Sequence, residues 1–180
     1  MLKTRKIVAI LALAAILLAF TAPVAAQGAN IPVEKTNKDM SSTLSGLNDV
    51  SMANTIIKSA DLDKTLATED HTLFIPSDSA MNRMGLDMSS VYGFMTDKGM
   101  ATKTMRSMVM EGSIMPSDMT TGKALTMING QTMFITTSNG QTALDSVKIT
   151  RGYQTTDGMI YVLDSVPSSV LMNIKSTLGL

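Results

Sequence analysis

Four residues near the centre of the chain carry the side chains of a hydrolytic triad: Asp70, His71, Ser77 and Asp78. His71 could act as a general base, Ser77 as the nucleophile and either aspartate as the orienting acid. Such a triad depends on placement in space, and Ser77 lies outside any Gly-x-Ser-x-Gly turn, the local sequence that exposes a nucleophilic serine. Serine and aspartate are also favoured helix caps, whose loss costs about 1 kcal/mol. We therefore expect Ser77 and Asp78 to cap a helix beginning near Ala80, and we predict a protein without catalytic residues.

A second group of acidic residues, Asp61, Asp63, Glu69 and Asp70, could coordinate calcium. Calcium takes six to eight oxygen ligands at closely set positions, as in the Asp-x-Asp-x-Asp-Gly loop of an EF-hand. The Asp-x-Asp pair at Asp61 and Asp63 lacks the rest of that loop. We expect Asp61 to cap a helix and the other carboxylates to face water, with no metal ion or cofactor bound.

Methionine is unusually frequent, with 17 residues in the chain. Met81, Met84 and Met88 recur at helical spacing, as do Met105 and Met108. Thioethers are soft ligands that suit Cu(I), which makes a copper-handling protein one interpretation. The other is that methionine fills a core poor in aromatic residues, because its flexible side chain adapts to irregular gaps. We favour core filling and keep a Cu(I)-binding or small-ligand-binding protein as the alternative function.

The segment Thr72–Met81 predicts the element that positions the central polar residues. Leu73, Phe74 and Ile75 form an apolar, β-prone run, and Pro76 ends it. A hydroxyl and acid cluster with a short helix follows directly. The pattern is typical of a buried strand that leads into a helix on the flank of a sheet.

The first 26 residues have the pattern of a secretory signal peptide. Lys3, Arg5 and Lys6 precede an uncharged run of 14 residues from Ile7 to Phe20, and small residues follow before Gln27. The run is short of the roughly 20 residues that cross a bilayer, which favours a cleaved signal over a membrane anchor. The protein would be attached to a membrane only if this N-terminal segment stayed uncleaved. We predict a cleaved signal peptide over 1–26, a flexible leader over 27–42 and a single domain over 43–180.

Charge and cysteine content narrow the class of protein further. Removal of residues 1–26 leaves 12 basic against 15 acidic residues, a formal charge of −3, with no basic cluster that would bind nucleic acid. The chain has no cysteine, which excludes thiol catalysis, disulfides and cysteine-ligated zinc. Packing alone must therefore stabilise an exported domain of 154 residues, a size that can bury a real core.

The remaining segments predict an α+β domain. Apolar residues between Thr43 and Leu66 recur at helical spacing, and the pattern changes to period two from Leu125 onward. Two Asn-Gly pairs, at positions 129–130 and 139–140, predict hairpins, because both turn residues tolerate a positive φ. Residues 159–164 read as a strand buried on both faces, and a last helix follows from Pro167 to about Lys175.

Four ordered blocks of this sequence resemble the fasciclin-type (FAS1) domain. Thr72–Met81 matches the family's first block, an apolar strand followed by Pro-Ser/Thr-Asp and a short helix. Asp157–Asp164 matches its second block, and the segments 105–119 and 125–131 match the region between. The resemblance covers about 43–171 and implies a wedge-shaped β-sandwich flanked by short helices. It also implies a secreted or surface-associated adhesion module that performs no catalysis.

The sequence departs from the family pattern at positions tied to adhesion. Ser107 and Met108 replace the usual Tyr-His pair, and Tyr161 stands where the second block usually has histidine. The acidic-Pro-Asp-Ile segment linked to integrin binding in animal members corresponds to positions 150–153, where that aspartate is missing. The resemblance therefore does not carry integrin recognition over to this chain.

The partner that we expect is an extracellular protein or polysaccharide. The first residues to consider are Arg151, Tyr153 and Asp157, which lie in and beside the predicted turn before the second block. Tyrosine offers apolar area with a polar tip, and arginine is a frequent anchor of interfaces. The alternative is an ordinary solvated loop.

Overall fold

The computed structural model describes residues 29–178 of the chain. The predicted signal peptide, 1–26, lies outside these residues. No helix within 29–178 is both long enough and apolar enough to cross a bilayer. The described part contains eight strands, seven α-helices and one 3-10 turn, in the mixed α+β class that the sequence predicts.

The strand of the first family-like block lies one place from the edge of the sheet and is fully buried. Strand β2 (His71–Pro76) is buried at all six positions and pairs in parallel with β8 (Gly158–Leu163), which is also buried throughout. Burial on both faces explains why both strands read as continuous apolar runs rather than as alternating ones. The prediction of a doubly buried strand over 159–164 is confirmed for 159–163, while Asp164 lies just past the strand and is half-buried.

The other strands extend the sheet on both sides of this pair. Their bounds are β1 Val33–Lys35, β3 Val109–Glu111, β4 Ala124–Thr126, β5 Thr132–Ser138, β6 Gln141–Leu144 and β7 Val147–Thr155. The order in the sheet is β3-β2-β8-β7-β6-β5-β4, and β1 pairs with β7 outside this order. A bridge between Met110 and Met127 brings the ends of the sheet together, so that the sheet is nearly closed.

Both predicted Asn-Gly hairpins form. Asn139 and Gly140, with φ values of 52° and 74°, connect β5 to β6. Gly130 has a φ of 84° in the turn between β4 and β5. Positive φ at these positions is what makes Asn-Gly the preferred sequence of a tight hairpin.

The helices pack mainly against one another. Their bounds are α1 Met40–Gly46, α2 Ser51–Ser59, α3 Leu62–Leu66, α4 Asp78–Arg83, α5 Met88–Thr96, α6 Lys98–Arg106 and α7 Ser168–Leu178, with a 3-10 turn at Pro116–Asp118. Helix α2 is central and contacts α1, α3, α4, α5 and α6, and α6 contacts α7. The helices reach the sheet where α1 contacts β8 and α6 contacts β3.

The expectation of a flexible leader over 27–42 is wrong for residues 29–42. Ala29 and Ile31 are buried, and β1 pairs in parallel with the part of β7 that runs from Gly152 to Gln154. This edge of β7 is open to β1 because β6 pairs only with the first two residues of β7. Polar side chains on a short edge strand face water, which is why this stretch looks like a leader in the sequence.

The core is built from few aromatic residues and many methionines. Phe74 and Tyr161 stack with ring centroids 5.5 Å apart, and both side chains are buried. Gly152 allows this packing, since a Cβ there would lie 2.8 Å from the Tyr161 ring. The same core contains many methionines, which supports the core-filling interpretation. Nine of the described methionines are buried in it: Met40, Met52, Met81, Met105, Met108, Met119, Met127, Met133 and Met159.

Candidate functional site

The residues of the hypothetical triad lie at opposite ends of one strand. His71 begins β2 and is buried, with its Nδ1 2.7 Å from the carbonyl oxygen of Glu69. Ser77 follows the last residue of β2, so that roughly 20 Å of extended strand separates the two residues. A general base must reach the nucleophile within hydrogen-bond distance, and this pair does not meet that condition.

Ser77 and Asp78 cap two different helices. The Ser77 hydroxyl accepts the Ala80 N–H at 3.2 Å and caps α4, as the sequence predicts. The carboxylate of Asp78 instead accepts the main-chain N–H groups of Ser51 (3.0 Å) and Met52 (2.9 Å) and the Ser51 hydroxyl (2.6 Å). The N-cap position of α2 is Val50, whose side chain cannot accept a hydrogen bond, so Asp78 takes that role. The expectation that Asp78 caps its own helix is wrong.

Asp157 has a structural function of the same kind. It lies in the turn between β7 and β8, and its Oδ1 accepts the Met40 N–H at 2.7 Å. The Thr155 hydroxyl donates to the same oxygen at 2.9 Å. Asp157 therefore holds the first turn of α1 against the end of the β7–β8 hairpin.

Arg151 and Tyr153 lie within strand β7, so the expectation that they belong to an exposed turn is wrong. Tyr153 is only 9% exposed, and its hydroxyl accepts a hydrogen bond from Arg151 Nε at 2.9 Å. The Arg151 guanidinium also pairs with Asp49 and lies 5.9 Å from the centre of the Tyr153 ring. Partial burial opposes the charge of Arg151, but the contacts with Tyr153 and Asp49 outweigh it and raise the pKa. Their role in binding a partner stays a prediction.

The acidic residues suggested for calcium do not converge. Asp61 occupies the N-cap position of α3, but its carboxylate makes no cap hydrogen bond and pairs instead with Lys98 and Lys64. The hydrogen bond from Lys98 and the charge of Lys64 hold the pKa of Asp61 below its usual value. Within residues 29–178, no three histidine or acidic side chains are placed to hold a metal ion.

Three methionines surround a small cavity between the helices and the sheet. Met81, Met105 and Met108 line a space of about 20 Å³ together with apolar side chains such as Ile56 and Leu86. A volume of that size holds about one small atom or molecule. Among the side chains that the structure describes, none of those lining this cavity is charged.

A surface rich in hydroxyl groups lies on the outward face of the second half of the sheet. Exposed and buried residues alternate along β5, so that Met133 and Ile135 face the core while Phe134 faces outward and is 51% exposed. We call this surface the hydroxyl face. Its outward side chains include those of Ala124, Thr126, Thr132, Phe134, Thr136, Ser138, Gln141, Ala143 and Lys148.

The hydroxyl face contains an open depression of about 330 Å³ over β5, β6 and β7. Thr136, Ala143 and Lys148 lie side by side on the three strands, and the small side chain of Ala143 forms the floor. The rim carries hydroxyl and amide groups from Ser138, Asn139, Gln141 and Ser146.

Sequence reasoning did not find this surface, although its signal is present in the strand alternation. In Thr132–Ser138, the aliphatic residues Met133 and Ile135 define the inward set, so a period of two places Phe134 outward among threonines. An outward aromatic residue is unusual in that pattern and marks the face.

Comparison with known proteins gives the family. The family model described as the fasciclin domain matches residues 48–167, two thirds of the chain. This protein therefore belongs to the fasciclin family, whose domains are generally non-catalytic adhesion modules. No curated protein matches the sequence.

A solved structure with the same fold is a FAS1 domain pair from the insect cell adhesion molecule fasciclin I. It aligns with a TM-score of 0.64 at 13% identity and covers 74% of this chain. The chain spans about half the length of that structure, 52%. The likeness confirms the predicted fold, a mixed α+β domain of the fasciclin type.

Proposed function

We propose that this protein is an exported, non-catalytic binding module that mediates adhesion at the cell exterior. The observation that carries the proposal is membership of the fasciclin family, together with a fold shared with a protein named as a cell adhesion molecule. The absence of catalysis is supported by Ser77 and Asp78, two candidates for a hydrolytic triad, because both are engaged in helix capping. The partner is an extracellular protein or polysaccharide.

Export rests on the signal-peptide pattern of residues 1–26. The N-terminus of the protein isolated from its cells, determined by mass spectrometry, should be Gln27. A protein that keeps residues 1–26 and stays with the membrane would contradict secretion and favour an anchored domain.

Adhesion is tested by coating a surface with the purified protein and counting the cells or envelope fragments that attach. Soluble protein added in excess should compete with the coated protein and reduce attachment. A surface coated with an unrelated domain of similar size and charge is the control. Equal attachment to both coatings would refute an adhesive function.

A second candidate function is the binding of Cu(I), and one observation favours it: three thioethers, from Met81, Met105 and Met108, meet at one cavity. Titration with Cu(I) should then give one site that is lost in Met105→Leu but kept in Met88→Leu, because Met88 is exposed on α5. Binding no tighter than that of free methionine would leave these side chains as core filling alone.

A further inference from the structure

We propose that the hydroxyl face binds an uncharged polysaccharide, with Phe134 stacking on a sugar ring and the depression over Ala143 holding the adjoining ring. This inference rests on the proposed function and names the class of partner and the surface that binds it.

The chemistry of the face matches that of a sugar chain. A sugar ring has an apolar C–H side, which packs against the electron-rich face of an aromatic ring, and a rim of hydroxyl groups. Threonine, serine and glutamine side chains each donate and accept hydrogen bonds, as sugar hydroxyls do. The hydroxyl face combines one exposed aromatic residue, Phe134, with such groups at Thr136, Ser138 and Gln141.

The geometry of the three strands sets the size of the depression. Neighbouring strands lie about 4.8 Å apart, so Thr136 and Lys148 stand roughly 10 Å from each other across Ala143. Phe134 precedes Thr136 by two residues on β5, a separation of about 7 Å along the strand. The aromatic ring and the depression therefore form one elongated site that follows β5.

The backbone beside Phe134 is held firmly in place. The Phe134 N–H donates to the Asp145 carboxylate at 3.0 Å, and the Phe134 carbonyl accepts the Asp145 N–H at 2.9 Å. Asp145 and Ser146 both have positive φ values, 47° and 68°, which form the tight turn between β6 and β7. A site whose main chain is already ordered loses less conformational entropy when it binds.

The charges at the site favour an uncharged polymer over an anionic one. Of the described residues that line the depression, Lys148 alone is charged, and the carboxylate of Asp145 lies beside Phe134. These opposite charges leave the site close to neutral, which gives no electrostatic attraction for a polyanion such as alginate. A protein partner is a poorer fit, because protein interfaces concentrate their energy in clusters of aromatic residues and arginine, and this site offers one phenylalanine.

The test is sedimentation of the whole exported protein with insoluble neutral polysaccharides: cellulose, chitin, β-1,3-glucan and mannan. Alginate-coated and collagen-coated beads represent the anionic and protein alternatives. We expect binding to at least one neutral polymer, at least a tenfold loss of affinity in Phe134→Ala, and a loss in Ala143→Lys, which fills the depression. Tyr92→Ala is the matched control, since Tyr92 is also an exposed aromatic residue, 61% exposed on helix α5, and should bind normally.

Each variant must keep its thermal midpoint within a few degrees of the parent, which the exposure of Phe134 leads us to expect. Absence of binding to every neutral polymer, or equal binding by Phe134→Ala, would overturn the inference. Binding to collagen or alginate alone would also overturn it, while leaving the adhesive function standing. If the parent protein attached neither to any of these polymers nor to cells, the proposed function itself would be refuted.

Discussion

The Asp78→Ala substitution tests the most specific structural claim about this chain. The Asp78 carboxylate accepts hydrogen bonds from the first turn of α2, while its own N–H donates to the Asp49 carbonyl at 2.7 Å. Removing the carboxylate leaves the Ser51 and Met52 N–H groups without their acceptor. The helix that loses stability should therefore be α2, whose first residue lies 27 positions earlier in the chain.

The magnitude follows from capping and helix-dipole energies. Loss of an N-cap acceptor costs about 1 kcal/mol, and loss of a negative charge at a helix N-terminus costs roughly 0.5 kcal/mol more. Asp78 is half-buried, so water restores part of the lost hydrogen bonding. We expect the free energy of unfolding to fall by about 1.5 kcal/mol, which lowers the thermal midpoint by about 3 to 6 °C for a domain of this size.

Amide hydrogen exchange identifies the helix that is affected. In Asp78→Ala, the amides of Ser51 and Met52 should exchange faster, while that of Ala80 should not change, because Ser77 still caps α4. Ser77→Ala is the matched control and should give the opposite pattern. Asp78→Asn, which keeps an acceptor oxygen but removes the charge, should lose less stability than Asp78→Ala. Faster exchange at Ala80 alone in Asp78→Ala would refute the reasoning.

Three further predictions follow from other contacts. Gly158→Ala should lower the free energy of unfolding by about 3 kcal/mol in chemical denaturation. Gly158 has a positive φ of 143°, and a Cβ there would overlap the main-chain oxygen of His71, its paired residue on β2. Gly46→Ala, which meets no atom within 4 Å, should be neutral or stabilising. Burial and, secondarily, the Asp118 carboxylate raise the pKa of Tyr161. The free energy of unfolding should therefore fall above about pH 10, where this phenol ionises in the unfolded chain before it does in the folded one. In Tyr161→Phe, alkaline unfolding should show a less steep fall. Lys98→Ala should raise the pKa of Asp61 towards its usual value, as followed by carboxyl NMR.

Each of these has a clear contrary result. Similar stability of Gly158→Ala and Gly46→Ala would contradict the close approach of β8 to β2. Parallel alkaline unfolding curves for Tyr161→Phe and the parent would show that this phenol ionises as freely in the folded state as in the unfolded state. An unchanged Asp61 titration in Lys98→Ala would remove the ion pair as the cause of the shift.

The elements with a local pattern were predictable from the sequence. Residues 72–81 form the strand and helix that their apolar run, proline and serine cap indicate. The two Asn-Gly pairs form turns, and the last helix begins at Ser168, directly after Pro167. In each case, the residues that decide the structure are neighbours in sequence, so their spacing carries the information.

The candidate sites were predicted less well, because side-chain exposure depends on pairing between distant segments. Tyr153 looks like an exposed loop residue, but pairing of β7 with β8 and β1 places it inside the sheet. Phe134 was missed for a different reason: it looks like a core residue by type, although the local alternation of β5 places it in water. Neither outcome follows from residue type alone.

By itself, the sequence determined the class of the fold, the buried strand that begins the first family-like block, the hairpins and the family, since these depend on periodicity and turn residues within short windows. Only the tertiary structure decided which helix each acidic residue caps. Asp78 reaches α2 across 27 positions and Asp157 reaches Met40 across 117. An aspartate has the same capping chemistry wherever a helix N-terminus meets it, so its partner is chosen by how the sheet and helices pack.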